Sequence, residues 1–295
     1  MTQPVNAGSN VVVITDSTSS LPAELATALN IGVVPVSVII DDVAHDEGDG
    51  ISPDEVAEAL AGGFSVTTSR PSPEIFARAY RVATSYGARR IVSVHLSAEL
   101  SGTYESALLA SKHAQVPVTV IDARTTGMAL GYAAVAGAKF AAAGVDVDGV
   151  AAAVRETAEQ SFLGVYVESL DYLRRGGRVS AARAIVGTAL KFHPILQMRD
   201  GNVEVVERVR TRSRALTHLV QRAVASFEGS PARVNLAVHA VGASAAHDAR
   251  TVEETLHLSF GERVNDLRHV PLSAALAAHV GPGAISIAAT PVLSI

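Results

Sequence analysis

Residues 11–24 read VVVITDSTSSLPAE, an unbroken run of β-branched residues that stops at Asp16 and gives way to a cluster of hydroxyl side chains. Such a run is typical of a strand buried on both faces, and the Leu-Pro-Ala-Glu sequence after it begins a helical pattern. The same order of strand, polar loop and helix recurs at residues 91–111 and again from residue 118. This alternation predicts a parallel sheet with helices on its faces, whose ligands bind beyond the carboxyl ends of the strands.

The pattern changes after about residue 160. Residues 194–198 and 203–209 are strand-like and flank Arg199-Asp200-Gly201-Asn202, and an Asp-Gly pair in this position indicates a hairpin. We expect further elements in a helix over 214–226, a strand over 234–241, a helix over 244–260 and a last strand from 284. The sequence therefore predicts an α/β fold with a flexible tail at 1–10, an N-terminal parallel-sheet α/β/α domain at 11–160 and a C-terminal mixed α+β domain at 161–295.

Composition excludes several classes of protein. The chain has 295 residues, 48% of them apolar, which is enough for a full core, and its net charge of −5 gives no reason to expect nucleic acid as a partner. It has no cysteine, which excludes disulfides, thiolate nucleophiles and cysteine zinc sites. The first ten residues lack a signal-peptide pattern, and the longest apolar window, 128–138, is about half the length that spans a bilayer. We expect a soluble cytoplasmic protein without a transmembrane segment.

Motifs for nucleotide, hydrolase and zinc chemistry are missing. The sequence contains no Gly-x-x-x-x-Gly-Lys loop, no Gly-x-Gly-x-x-Gly, no Gly-x-Ser-x-Gly and no His-x-x-x-His. We therefore expect a site made of hydroxyl side chains on loops, with no metal and no cofactor bound by this chain.

Two hydroxyl-rich stretches are the main candidates for that site. The first stretch is Thr67-Thr68-Ser69-Arg70-Pro71-Ser72-Pro73. Its last two residues are explained by helix capping, with Ser72 as the N-cap and Pro73 as the first helical residue. Capping does not explain Thr68 and Ser69, which are therefore candidates to face a ligand. In Leu100-Ser101-Gly102-Thr103-Tyr104, Ser101 is either a plain N-cap or part of an anion site at a helix N-terminus, where Gly102 lets a ligand approach the backbone.

Charged residues in other motifs allow two interpretations each. Asp16 and Asp122 end strands, where they cap turns or form an acid and base pair; we assign them support roles. Arg178 follows a glycine-capped helix end and leads into another helix; it is either a solvated surface arginine or, as we expect, points inward. His279, at the end of an Ala-rich helix before Gly281-Pro282-Gly283, is either structural or functional.

Alternating arginines at 208, 210, 212 and 214 form either an exposed edge protected by charge or a docking surface for an acidic or phosphate-bearing partner.

Six motifs in order resemble the DegV family over nearly the whole chain. They lie at residues 13–18, 68–72, 100–104, 173–178, 210–212 and 279–283. Members of this family are similar to the fatty-acid-binding subunits of the bacterial fatty acid kinase, which serves phospholipid synthesis, with a lipid enclosed between two domains. Arg70 departs from the family pattern, in which glutamine is more usual, and this departure could alter the pocket rim.

The resemblance implies a role for each matching residue. Thr68 and Ser101 would hydrogen-bond a carboxylate together with Ser69, Gly102, Thr103 and His279, and Asp16, Arg178, Gly281 and Gly283 would support them. Arg210, Arg212 and Arg214 would face a separate kinase subunit that brings ATP and magnesium. The chain itself would be a lipid carrier without catalytic activity.

Two other functions stay open on sequence alone. The first is a small-ketone or hydroxy-compound binding subunit that acts through His279, as in the distantly similar dihydroxyacetone kinases. The second is a regulatory protein that works through its arginine cluster.

Overall fold

The computed structural model describes residues 10–48, 50–178 and 192–295, and the structural statements below concern those residues. The strands are β1 (Val11–Asp16), β2 (Ile31–Val34), β3 (Ser37–Ile40), β4 (Val43–Asp46), β5 (Val66–Ser69), β6 (Arg90–His95), β7 (Val118–Asp122), β8 (Phe162–Tyr166), β9 (His193–Arg199), β10 (Asn202–Val209), β11 (Val234–Ala240), β12 (Val264–His269) and β13 (Ile285–Pro291). The helices are α1 (Ala23–Ala28), α2 (Pro53–Ala61), α3 (Pro73–Ser85), α4 (Thr103–Ser111), α5 (Gly127–Ala142), α6 (Val147–Glu159), α7 (Asp171–Gly176), α8 (Arg212–Ala225), α9 (Ala246–Phe260) and α10 (Ala274–Val280). In the described ranges, none of them is long and apolar enough to cross a membrane.

Two sequence predictions fall mostly or wholly outside these ranges. The tail at 1–10 lies outside them except for Asn10, and so does the helix expected after Arg178.

The first sheet is parallel, with the strand order β2-β1-β6-β7, which confirms the predicted N-terminal α/β architecture. Side chains of β1 alternate between two cores. Val13 packs in a cluster with Leu130 of α5 and Val150 of α6, whereas Ile14 packs in a cluster with Phe76 of α3. Because helices cover both faces, β1 must be apolar at successive positions, and this is the origin of its unbroken β-branched run.

The start of α3 agrees with the sequence only in part. Ser72 occupies the N-cap position and Pro73 the first turn, as predicted, but the Ser72 hydroxyl makes no capping bond to a backbone amide. It bonds the carboxylate of Glu74 instead and thereby lowers the pKa of that group.

The second sheet has the order β10-β9-β8-β13-β11-β12 and confirms the predicted mixed unit. Its β9–β10 hairpin turns at Asp200 (φ 47°) and Gly201 (φ 83°), and two successive positive φ angles characterise the turn that an Asp-Gly pair favours. Leu219 of α8 and Leu256 of α9 belong to the cluster that covers one face of this sheet.

A third, antiparallel sheet, β4-β3-β5, has no counterpart in the sequence predictions. It places Thr67, Thr68 and Ser69 on a strand, so the prediction that these hydroxyls stand on a loop is wrong. The sheet and α2 share an apolar cluster with the second half of the chain, in which Val38 packs with Leu272. The domain boundary at 160 and 161 stays a prediction.

Candidate functional site

A cavity of about 360 Å³ is lined by loops of the parallel sheet, by both other sheets and by α7 and α10. Thr18, Leu96 and Thr126 come from the loops that follow β1, β6 and β7, so the cavity lies at the carboxyl ends of the parallel strands. Its volume falls in the range of about 300 to 1,000 Å³ that is usual for small-molecule sites.

Aliphatic side chains and one methionine make up half of the lining positions. We call them the apolar lining: Val36, Leu96, Leu100, Leu163, Val165, Leu173, Met198, Val203, Leu272, Ala275, Leu276 and Val280. The rest of the lining carries hydroxyls, an amide, a histidine, two glycines and two arginines, but no carboxylate. An elongated apolar ligand with an anionic end would match this composition.

Thr68 and His279 make a polar contact within the lining. Oγ1 of Thr68, on β5, lies 3.0 Å from Nε2 of His279, near the end of α10. Burial, and to a smaller extent the charge of Arg178, lowers the pKa of His279 from 6.5 to about 4. The imidazole is therefore neutral at neutral pH rather than a cation at the helix end. Gly176 packs against this ring so closely that a Cβ there would overlap Nδ1.

Ser101 and Gly102 line the cavity at the start of α4. The helix begins at Thr103 and Gly102 is its N-cap, so the interpretation of Ser101 as the N-cap is wrong. Oγ of Ser101 lies 2.9 Å from Oγ1 of Thr103. Thr103 is fully buried and is not part of the cavity lining. It positions the Ser101 hydroxyl instead of offering its own to a ligand, which corrects the expectation for Thr103.

Two arginines of the lining hold the backbone on either side of Ser101. Nε of Arg178 donates to the carbonyl oxygen of Leu100 at 3.3 Å, and its Nη1 donates to that of Gly176. Nη1 of Arg70 donates to the carbonyl oxygen of Gly102 at 3.4 Å. These contacts, with those above, define the polar cluster: Thr68, Ser69, Arg70, Ser101, Gly102, Arg178 and His279.

Asp16 stands behind the cavity and does not line it. Its Oδ1 accepts a 2.5 Å hydrogen bond from the hydroxyl of Thr18, which is a lining residue, and its Oδ2 accepts one from the Leu96 amide at 3.1 Å. Oδ2 also lies 3.0 Å from Nδ1 of His95. Asp16 therefore fixes two lining loops, as a support role requires.

A buried chain of side chains continues from His95, and sequence reasoning missed it. Nε2 of His95 lies 2.7 Å from Oγ of Ser93, which lies 3.0 Å from the Tyr80 hydroxyl. The order Asp, His, Ser is that of a hydrolase triad, but His95 and Ser93 are fully buried and do not line the cavity. We interpret the chain as a polar network that stabilises the parallel sheet. No motif could reveal it, because its members come from β1, α3 and β6, which lie far apart in the sequence.

The two glycines after α10 act through packing. Gly281 has φ 78°, and a Cβ there would overlap the ring of Tyr172. Gly283 has φ 80°, and a Cβ there would lie 2.7 Å from Cγ of Glu168. Neither residue lines the cavity, so both support His279 by fixing the chain that follows its helix.

The arginine cluster departs from prediction because β10 ends at Val209 and α8 begins at Arg212. Because the strand ends before Arg210, alternation does not place all four side chains on one side, as it would if the strand continued. Exposed positions are taken by Arg208, Arg210 and Arg214.

Arg212 is held inside the protein surface. Its Nε lies 2.5 Å from Oδ2 of Asp248, its Nη1 pairs with Glu168, and its guanidinium lies 5.2 Å from the centre of the Tyr166 ring. These contacts occupy Arg212, so its expected place on a docking surface is not supported by its environment.

Several lining residues carried no recognisable signal in the sequence. Gln197, Met198 and Ser286 lie on predicted strands, and Thr126 lies in the loop after another. The first three reach the cavity because the six-stranded sheet packs near the carboxyl ends of the parallel one. In the ranges that the structure describes, no group of three or more His, Asp or Glu side chains could hold a metal ion.

Comparison with known proteins places these features in a family. The model of a family described as "Uncharacterised protein, DegV family" matches residues 10–292. A DegV domain-containing protein of Streptomyces coelicolor is 42% identical over 281 residues, which cover 94% of this chain and 97% of that protein.

Solved structures agree with this match. A DegV family protein of Thermus thermophilus, described by its fatty acid binding, is 31% identical with a TM-score of 0.88 over 96% of this chain and 99% of that one. A protein of Thermotoga maritima, described as revealing a fatty acid binding function, is 25% identical with a TM-score of 0.81 over 96% of this chain and 100% of that one. The chain belongs to the DegV family.

Proposed function

We propose that this chain binds a long-chain fatty acid, with the carboxylate at the polar cluster and the hydrocarbon chain against the apolar lining. One observation carries the proposal: a single cavity combines the Thr68–His279 pair with the apolar lining, which makes up half of its lining positions. The fatty acid binding described for the relative from Thermus thermophilus supports it.

Proton positions explain how the pair would hold an anion. A neutral imidazole that carries its proton on Nε2 donates to Oγ1 of Thr68, and the single hydroxyl proton of Thr68 is then free to point to the carboxylate. Ser101 supplies a second hydroxyl donor, and Arg178 lies near enough to lower the pKa of His279. Without such donors, burial of a carboxylate would be strongly unfavourable.

The hydrocarbon chain would provide most of the affinity. About fifteen methylenes at roughly 0.8 kcal/mol each give a gross gain on the order of 12 kcal/mol. Association and ordering cost about 4 to 15 kcal/mol. The two magnitudes are similar, so the tail must be almost wholly enclosed, which requires the three-stranded sheet and α10 to cover the cavity together.

We further propose that the chain presents the carboxylate to a separate kinase subunit and performs no chemistry alone. Ser69 and Arg70 are exposed and also line the cavity, so the polar cluster reaches the surface. The sequence has no phosphate-binding loop of its own, and we assign ATP and magnesium to the partner. A carboxylate oxygen would attack the γ-phosphorus of ATP, forming an acyl phosphate as ADP leaves.

Arg208, Arg210 and Arg214 form the proposed docking surface for that kinase subunit. All three are exposed, and among the described residues no carboxylate forms a salt bridge with any of them. Unpaired arginines suit an acidic partner surface and would chiefly raise the association rate.

A small-ketone ligand acting through His279 fits this cavity less well. A small polar molecule would leave the aliphatic side chains in contact with water, and Nε2 of His279 is already engaged by Thr68.

Titration of delipidated protein tests the binding proposal. We expect a long-chain acid to bind and both dihydroxyacetone and the methyl ester of that acid to bind weakly or not at all. Ser101→Ala should weaken acid binding about fivefold, because one hydroxyl donor is lost. Ser111→Ala, at the half-buried end of α4 and outside the cavity lining, is the matched control and should change nothing. Equal affinity of the acid and the ester would contradict a role for the carboxylate.

An activity assay tests presentation separately. A fatty acid kinase catalytic subunit with ATP and magnesium should form acyl phosphate, trapped as the hydroxamate, only when the lipid-loaded chain is present. If the chain binds the acid but no product forms with the kinase subunit, the carrier role is supported and the presentation to a kinase is contradicted.

A further inference from the structure

Arg70 lies against the backbone of the polar cluster at Gly102. Its Nη1 donates to the carbonyl oxygen of Gly102, and a Cβ on Gly102 would overlap the guanidinium. Only glycine at position 102 lets the arginine lie across this turn. The contact fixes one end of a long, exposed side chain beside Ser101 at the edge of the cavity.

Arg178 holds the opposite side of the same turn. It donates to the carbonyl oxygen of Leu100, two residues before the carbonyl that Arg70 holds. The two guanidinium groups therefore bond the carbonyl oxygens of the residues immediately before and after Ser101. Each guanidinium has five N–H donors, and the contacts with carbonyl oxygens use only one for Arg70 and two for Arg178.

The lining has more positive charge than a fatty acid needs. Its described residues include Arg70 and Arg178 and no carboxylate, and among those residues neither arginine is in a salt bridge. A carboxylate carries one negative charge, whereas a phosphate monoester carries about −1.5 to −2 at neutral pH. Guanidinium groups also match phosphate oxygens in geometry, through two parallel hydrogen bonds.

We propose that Arg70 is a specificity residue that makes the polar cluster bind a phosphorylated head group more tightly than a carboxylate. This inference rests on the proposed function, because the phosphorylated ligand it fits is the long-chain acyl phosphate that the kinase subunit would form. The same site would then accept the acid and retain the product, which is shielded from water until it is passed on.

Two ligands of equal chain length separate the head-group effect from the tail. Tetradecanoic acid and tetradecyl phosphate, a stable mimic of an acyl phosphate, are titrated into delipidated protein at pH 8, below their micelle concentrations. We expect the wild type to bind the phosphate about fivefold or more tightly than the acid. High salt should erode that preference, because Arg70 is exposed to solvent.

Three variants assign the preference to the charge of Arg70. Arg70→Gln should weaken phosphate binding about tenfold and acid binding less than about threefold. Arg70→Lys keeps the charge but not the paired N–H donors, and should restore part of the phosphate affinity. Arg155→Gln, on the exposed face of α6, removes an arginine that does not line the cavity and should change neither affinity.

The outcomes separate this inference from the proposed function. If Arg70→Gln weakens both ligands equally, or neither, while the acid still binds the wild type, the inference is overturned and the carrier proposal stands. If the wild type binds neither ligand, both are overturned. Equal thermal stability of the wild type and the Arg70 variants excludes misfolding as the cause of a lost affinity.

Discussion

The Thr68 hydroxyl and the His279 imidazole lie 3.0 Å apart although 211 positions separate them in the sequence. β5 brings the first residue and α10 the second, and these two elements meet because the three-stranded sheet packs on the C-terminal half of the chain. The contact therefore depends on the fold as a whole. When His279 carries its proton on Nε2, the contact leaves the hydroxyl proton of Thr68 free for a ligand. The pair is therefore the most informative place to perturb the site.

Thr68→Val should weaken fatty acid binding about tenfold while the protein stays folded. Valine has nearly the shape of threonine but no hydroxyl, so the carboxylate loses one donor and His279 loses its partner. Calorimetric titration of delipidated protein measures the change. Thr255→Val removes an exposed hydroxyl of α9 far from the cavity and serves as the control. An unchanged dissociation constant in Thr68→Val would show that Thr68 does not contribute to fatty acid binding.

Acid should destabilise the delipidated protein partly through His279. Burial lowers the pKa of His279 from 6.5 to about 4, so between these pH values the unfolded chain binds a proton that the folded chain does not. The free energy of unfolding therefore falls as the pH drops through this window, by up to about 1.4 kcal/mol per pH unit and about 3 kcal/mol in total.

Urea denaturation at pH 7 and pH 4.5 measures this effect. His279→Gln should show a smaller loss of stability on acidification than the wild type. His113→Gln, at an exposed position, should show the same loss as the wild type. Parallel pH profiles of the wild type and His279→Gln would mean that folding does not shift the pKa of His279.

Gly281→Ala should cost more stability than Gly144→Ala. Both glycines have positive φ, 78° and 84°, which strains an alanine, and the ψ of 172° at Gly281 belongs to a region almost confined to glycine. Only at Gly281 would the new Cβ overlap a neighbour, the ring of Tyr172, whereas Gly144 has open space. We expect an additional loss of about 1 to 3 kcal/mol at Gly281, measured by urea denaturation. Equal losses at the two positions would show that Tyr172 moves aside freely.

Val203→Phe should shorten the preferred fatty acid. Val203, on β10, belongs to the apolar lining, and a larger side chain there takes up volume that a tail would fill. Competition between acids of increasing length should show lost affinity for the longest ones and little change for short ones. Val43→Phe, at an exposed position, is the control. Uniform weakening of all acids would mean that the tail does not run past Val203.

The parallel sheet could be predicted because its signals are local. The β-branched run of β1 follows from burial on both faces, and the Asp200-Gly201 pair dictates its own turn, so both are visible within a few residues. The three-stranded sheet was missed because β3, β4 and β5 have four residues each, too few for a clear pattern.

In the candidate site, too, residues that belong to local motifs could be predicted, whereas contacts between distant parts of the chain could not. Thr68, Ser69, Ser101, Gly102, Arg178 and His279 could be assigned from motifs, and the structure brings them to one cavity. Other contacts join residues that are far apart in the sequence, so no local pattern could reveal them. Examples are the pairing of Arg212 with Glu168 and Asp248 and the buried chain from Asp16 through His95.

Mass spectrometry of ligand extracted from freshly purified, denatured protein tests the central proposal most directly. If the cavity holds a lipid by its carboxylate, the extract contains a long-chain fatty acid in near-equimolar amount, and Thr68→Val purified in parallel yields less of it. An extract without any long-chain acid, or one that contains only a small polar compound, would contradict the proposal.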